Sequence, residues 1–274
     1  MAKKNELPPI ITQLLQQKKY PFIVAIIALI AFLFFEFEGF KDSTTPEPTS
    51  SYKPIQTDVS KLPKTPYSFS QAKTIVYTKI YQGHEKTFYC GCDFDKQRAV
   101  DLKSCQVKPR LNAKRASQVE AEHIIPASWF GMDRQCWNEE ICKDKKGKAY
   151  KGRECCLDID PFFRVAHNDL YNLTPAVGEV NGDRSNLAYG IVAGEKREYG
   201  ACDFEIDRDS KLAEPAPAVR GDIARVGFYM ERTYGVTFPP KQKELFIQWD
   251  KDDAVDEWEK TRNQRIAAIQ GQSN

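Results

Sequence analysis

Histidine is nearly absent from this chain: His84, His123 and His167 are the only three in 274 residues. Sites needing two or three imidazoles are excluded unless all three converge, and a one-histidine mechanism must choose among them. A dominant positive charge is missing too, since the formal net charge is +2. Any nucleic-acid reading must therefore rest on local patches. No Cys-x-x-Cys pair occurs, which is the spacing zinc sites favour. No internal repeat is visible.

What is present begins with eight cysteines: Cys90, Cys92, Cys105, Cys136, Cys142, Cys155, Cys156 and Cys202. Their even number and central position predict disulfides made in an oxidising compartment. A zinc site is the alternative, which the Cys-Gly-Cys and Cys-Cys spacings suit poorly.

Phe22 to Phe35 is an unbroken apolar run, preceded by Lys3, Lys4, Lys18 and Lys19 and followed by Glu36 and Glu38. That charge order leaves the N-terminus in the cytoplasm and exports the rest. Residues 1–40 read as a basic tail with a signal-anchor over 21–40. The alternatives are a cleaved signal peptide or a buried soluble helix. The long leading segment and the lack of a small-x-small cleavage site favour the anchor. The expected location is periplasmic, held at the inner membrane, with secretion after cleavage as the alternative. Residues 41–66 hold five prolines among many Ser and Thr and read as a linker. The folded domain is then 67–274.

Within it, helical spacing of Ala72, Val76 and Ile80 predicts a helix over 70–82. Strands are expected over 87–94 and 118–125. A short helix is expected over 166–173, ended by Pro175. Further helices are expected over 215–234, 244–249 and 255–270. The result is an α+β, mostly helical, disulfide-stabilised domain.

Two constellations can carry chemistry. Glu122-His123 at a strand end sets a hard oxygen ligand beside a base, although such a histidine is more often structural. Asn172 offers a neutral carbonyl, and Asn181-Gly182-Asp183 has the composition of a tight turn. Each alone is weak. Together with Phe88-Tyr89-Cys90-Gly91-Cys92, Gln135-Cys136-Trp137, Gly178-Glu179-Val180-Asn181-Gly182-Asp183-Arg184-Ser185-Asn186 and Ala213 to Arg225, in that order, they form a specific pattern. The stretch from about Tyr67 to Gly271 resembles the bacterial endonuclease I family of periplasmic or secreted non-specific nucleases.

The resemblance implies a ββα-metal core, with Glu122 and Asn172 holding one Mg²⁺-type ion (Mn²⁺ or Ca²⁺ as alternatives) and His123 as general base. It implies hydrolysis of DNA, and of RNA as a further substrate, to 5′-phosphate products. Activity should then fall below the His123 pKa, near 6.5 if unperturbed. The chain departs from relatives in having Tyr171 where they carry His. No arginine stands between Cys136 and Cys142, where many relatives have one; Arg134 and Arg153 are the candidate substitutes. An insertion near 148–163 brings Cys155 and Cys156. Phosphate contacts are expected from Arg134, Arg153, Arg184, Arg220 and Arg225, and from the basic runs Lys96–Arg115 and Lys143–Arg153. The competing readings are a catalytically dead DNA-binding module and a disulfide-stapled structural domain whose metal is only a staple.

Overall fold

The computed structural model describes residues 58–194 and 196–271. The expected tail, anchor and most of the linker lie outside the described residues. The linker's last residues are described: Val59–Lys61 form a 3-10 turn, Pro63 and Pro66 are buried, and Asn168 Nδ2 donates to the Pro66 carbonyl at 3.0 Å. The packed chain thus reaches back beyond Tyr67.

Ser68 caps the first helix, α1 (Phe69–Ile75), by accepting from the Gln71 amide. The helix widens into a π turn over Val76–Ile80. Ala72, Val76 and Ile80 are its buried stripe. The strand expected over 87–94 shrinks to β1 (Asp93–Phe94), paired with β2 (Val100–Asp101). Gly91 at φ +65° breaks the extended run. It sends Cys90 to Cys202 and Cys92 to Cys105. Next come α2 (Ala113–Ala116) and β3 (Val119–His123).

The middle of the chain is short and stapled. It holds α3 (Ala127–Gly131), α4 (Gln135–Asn138), the hairpin β4 (Cys142–Lys143) and β5 (Ala149–Tyr150), α5 (Arg153–Ile159) and α6 (Pro161–His167). Cys136–Cys156 and Cys142–Cys155 join α4 and β4 to α5. All eight cysteines are therefore bridged, as their number predicts. The inserted pair, Cys155 and Cys156, supplies one half of two bridges.

The helix expected over 166–173 is resolved differently. α6 ends at His167, a 3-10 turn covers Leu170–Asn172, and β6 (Leu173–Val177) follows. Pro175 sits inside β6 because the ladder has only two strands, so its missing N–H falls on an edge. β6 runs antiparallel to β3, with His123 opposite Leu173 and Val119 opposite Val177. The polar run expected to turn is α7 (Gly178–Arg184). β7 (Ala188–Tyr189), β8 (Phe204–Asp207) and β9 (Leu212–Pro215) form a sheet in the order β7-β9-β8.

The C-terminal helices α8 (Arg220–Tyr234), α9 (Pro240–Asp252) and α10 (Glu257–Gln270) close the core. Asp169 ties α8 and α10 to the centre. It accepts from Tyr229 (2.8 Å), Tyr234 (2.5 Å), the Tyr171 amide (2.9 Å) and Gln270 (3.1 Å). Burial pushes its carboxyl pKa up, and these donors oppose that. Helices outweigh small sheets, so the class is α+β.

Candidate active site

β3 delivers Glu122 and His123 to one open cleft of about 650 Å³, lined also by Phe69, Arg115, Arg153 and Asn181. Glu122 is 3% exposed. Its Oε1 accepts from the Tyr89 hydroxyl at 2.8 Å and lies 3.1 Å from Arg184 Nη1. Burial pushes its pKa up, while Arg184 and Tyr89 pull it back.

Arg184 is fully buried. Its guanidinium donates to the carbonyls of His123 (2.9 Å) and Ile124 (2.6 Å) and stacks 4.6 Å above the Tyr189 ring. The expected phosphate contact is therefore corrected: Arg184 is the internal counter-ion of Glu122. Its burial follows from helical spacing, since Val180, four residues earlier, is buried on the same stripe of α7.

His123 Nε2 lies 2.8 Å from the His167 carbonyl. A carbonyl can only accept, so Nε2 carries the proton and Nδ1 keeps its lone pair. Phe69 stacks on the ring at 5.3 Å and 17°. Burial, then the neighbouring His167, holds the His123 pKa well below 6.5. The ring is thus neutral at neutral pH. His167, also buried, is brought down to about 4.

Asn172 does not reach this cleft. It is fully buried. Its Oδ1 accepts from the Ile125 amide (2.7 Å), and its Nδ2 donates to the Ile125 carbonyl (2.9 Å). Both amide atoms are engaged in extending the β3–β6 pairing, so the ligand role expected for Asn172 is corrected. Asn181, on α7 at the far end of β6, lines the cleft instead. It lies in the same polar string that suggested the family. Only the strand pairing tells which end of β6 faces the cleft.

Of the five arginines expected to meet phosphate, only Arg153 lines the cleft. It is exposed at the start of α5, and no hydrogen bond or ion pair holds its guanidinium among the described residues. Arg134 pairs with Asp160 and stacks on Phe162 at 4.6 Å. Arg220 is held by Glu214 (2.6 Å) and the Pro215 carbonyl (2.9 Å). Arg225 grips Glu259 with two bonds of 2.7 and 2.6 Å. These three are held by carboxylates and do not line the cleft. Arg98 and Arg115 of the first basic run do line the cleft, with Lys73 of α1, which carries no sequence signal. The lysines of the second run, Lys143, Lys145, Lys146 and Lys148, are exposed on the β4–β5 hairpin.

The family model described as Endonuclease I matches residues 68–274. The chain is similar to Endonuclease-1 of Buchnera aphidicola subsp. Acyrthosiphon pisum, 40% identical over 214 residues, covering 77% of this chain and 80% of that protein. It is similar to an Extracellular deoxyribonuclease of Aeromonas hydrophila, 40% identical over 200 residues, 72% and 82% of the two chains. A Periplasmic deoxyribonuclease of the same organism is 38% identical over 222 residues, 78% and 89% of the two chains.

Proposed function

The chain belongs to the endonuclease I family and is an endonuclease, and from that premise we propose that it is a divalent-metal-dependent, sequence-tolerant DNase working outside the cytoplasm. The single observation that carries the reading is the cleft that joins buried Glu122, neutral His123 and Asn181. The names of the deoxyribonuclease relatives and the four disulfides support the substrate and the compartment. RNA is proposed as a further substrate. The segment over residues 21–40, with its apolar run Phe22 to Phe35, is proposed to tether the enzyme at the inner membrane.

The donor set fits a hard divalent cation. Glu122 offers a carboxylate and Asn181 an amide oxygen, while every cysteine is oxidised and no thiolate competes. These two residues, β3 and α7 of a ββα unit, would hold one Mg²⁺; Mn²⁺ and Ca²⁺ share the same donor preference. When bound, the ion supplies positive charge to the phosphate and to the departing 3′ oxygen. His123 removes a proton from water through Nδ1 as the water oxygen bonds to phosphorus. The P–O3′ bond breaks, leaving a 5′ phosphate. The hydrogen bond to the His167 carbonyl fixes the tautomer, and Phe69 fixes the ring plane. Arg153 contacts the non-bridging phosphate oxygens in place of the arginine missing between Cys136 and Cys142.

The test is plasmid degradation by the oxidised protein with Mg²⁺, with EDTA, and by His123→Ala. Loss of cleavage with EDTA and a loss of roughly 10²–10⁴-fold in the variant are expected. DNA shifted on a gel yet left intact by the wild type would replace this reading with a binding module. Metal-dependent folding without turnover would replace it with a structural domain.

A further inference from the structure

The side chain of Asn181 is held by a chain of contacts that the reaction itself does not use. Its Nδ2 donates to Glu120 Oε2 at 2.7 Å. Glu120 is gripped at both oxygens by Arg115, from Nε to Oε1 and from Nη2 to Oε2, each at 2.7 Å. A carboxylate gripping a guanidinium this way has only acceptors to offer. The amide nitrogen of Asn181 must therefore face Glu120, and its oxygen must face the other way. The guanidinium of Arg115 in turn lies on Gly182, where an added Cβ would sit 2.0 Å from Arg115 Nη1. All four residues line the cleft.

We propose that Arg115, Glu120 and Gly182 form a clamp that selects one orientation of the Asn181 carboxamide, so that its Oδ1 is presented to the cation. The proposal rests on the metal-dependent reading above. It also assigns Arg115 differently from the other cleft cations: its charge neutralises Glu120 rather than phosphate. Without the clamp, the carboxamide can turn over by 180° about its last bond and present N–H donors, which repel a cation. Gly182 is required because any side chain there would push the guanidinium off the helix. Glu120 and Arg115 are positioning residues, acting through Asn181.

The experiment is calorimetric titration of Mg²⁺ into the oxidised full-length chain in mild detergent, with thermal melts of every variant. Glu120→Gln should weaken Mg²⁺ binding about tenfold, the low end for outer-sphere partners of a metal ligand. Gly182→Ala should weaken it in the same direction without lowering Tm, because alanine favours the helix while displacing only the mobile end of Arg115. This variant keeps the test decisive if Glu120→Gln fails to fold. In an Asn181→Ala background, Glu120→Gln should cost nothing more, since its only route to the ion is already gone. Unchanged Mg²⁺ affinity in both single variants, or additive losses in the double variant, would overturn the clamp. Loss of binding in Glu122→Gln alone, with Glu120→Gln intact, would overturn the clamp and leave the metal reading standing. A wild type that binds no Mg²⁺ would overturn both.

Discussion

The two walls of the cleft are rigid for different reasons. One wall, β3 with β6 and α7, is held by buried polar contacts: Arg184 on Glu122, Tyr89 on Glu122, Asn172 on Ile125. No disulfide touches it. The other wall, α4 to α5 with Arg153 at its edge, has short elements and exposed lysines, and two disulfides hold it. Buried hydrogen bonds set side-chain direction as well as position, which the proposed base and metal ligands need. A cation meeting a phosphate tolerates more freedom, so a covalently fastened but otherwise sparse wall suffices. The difference locates orientation in one wall and charge in the other.

The sharpest way to break this contrast is Arg184→Leu. It leaves the Glu122 carboxylate buried without its counter-ion and should cost about 3–5 kcal/mol in chemical denaturation. A loss under about 1 kcal/mol would mean that the wall does not depend on the pair. Next is the Cys142→Ser, Cys155→Ser double variant. Opening a loop with 13 residues of separation should cost about 3 kcal/mol, while Mg²⁺ affinity in calorimetry stays at the wild-type value. A weakened Mg²⁺ site would show that the walls are not separable. Arg153→Ala should lower kcat/KM roughly a hundredfold, comparable to removing one preorganised donor, with Tm unchanged. Arg134→Ala, outside the cleft, should instead lower Tm and spare turnover.

The last effect expected is in pH. His167 is held at about 4 in the fold against roughly 6.5 unfolded. The unfolded chain therefore binds more protons between these values. Stability is complete above pH 6.5 and is lost as pH falls toward 4, and the depressed His123 pKa acts in the same direction. The raised carboxyls of Glu122, Asp169 and Asp222 work the other way, so the histidine part is read as a difference: from pH 7 to pH 4 the denaturant midpoint of the wild type should fall further than that of His167→Gln. An equal change in both would contradict a neutral buried His167.

What was legible in the sequence follows from distance along the chain. Glu122 and His123 are adjacent, so a strand end suffices to join them. The eight cysteines announce bridging by number, but their partners depend on the fold. Asn172 and Asn181 flank the same strand in similar polar company, and only antiparallel pairing with β3 decides which is turned to the cleft. The arginines are the least legible. Charge suggests surface, yet Arg184, Arg220 and Arg225 are each matched to a carboxylate distant in sequence or one strand away. The helix expected over 166–173 stops at His167 instead, and Pro175, expected only to end it, lies inside a strand because a two-stranded ladder tolerates proline on its edge.

The bridge from Cys90 to Cys202 encloses 112 residues of separation, and Glu122, His123, Arg153 and Asn181 all fall inside it. An enzyme exported among proteases is cut first at exposed turns, such as Lys145-Lys146 on the β4–β5 hairpin. Such a cut leaves both pieces joined by that ring and by Cys142–Cys155 across the hairpin. The nicked molecule would migrate as one band unreduced and as two after reduction, with its cleft still assembled.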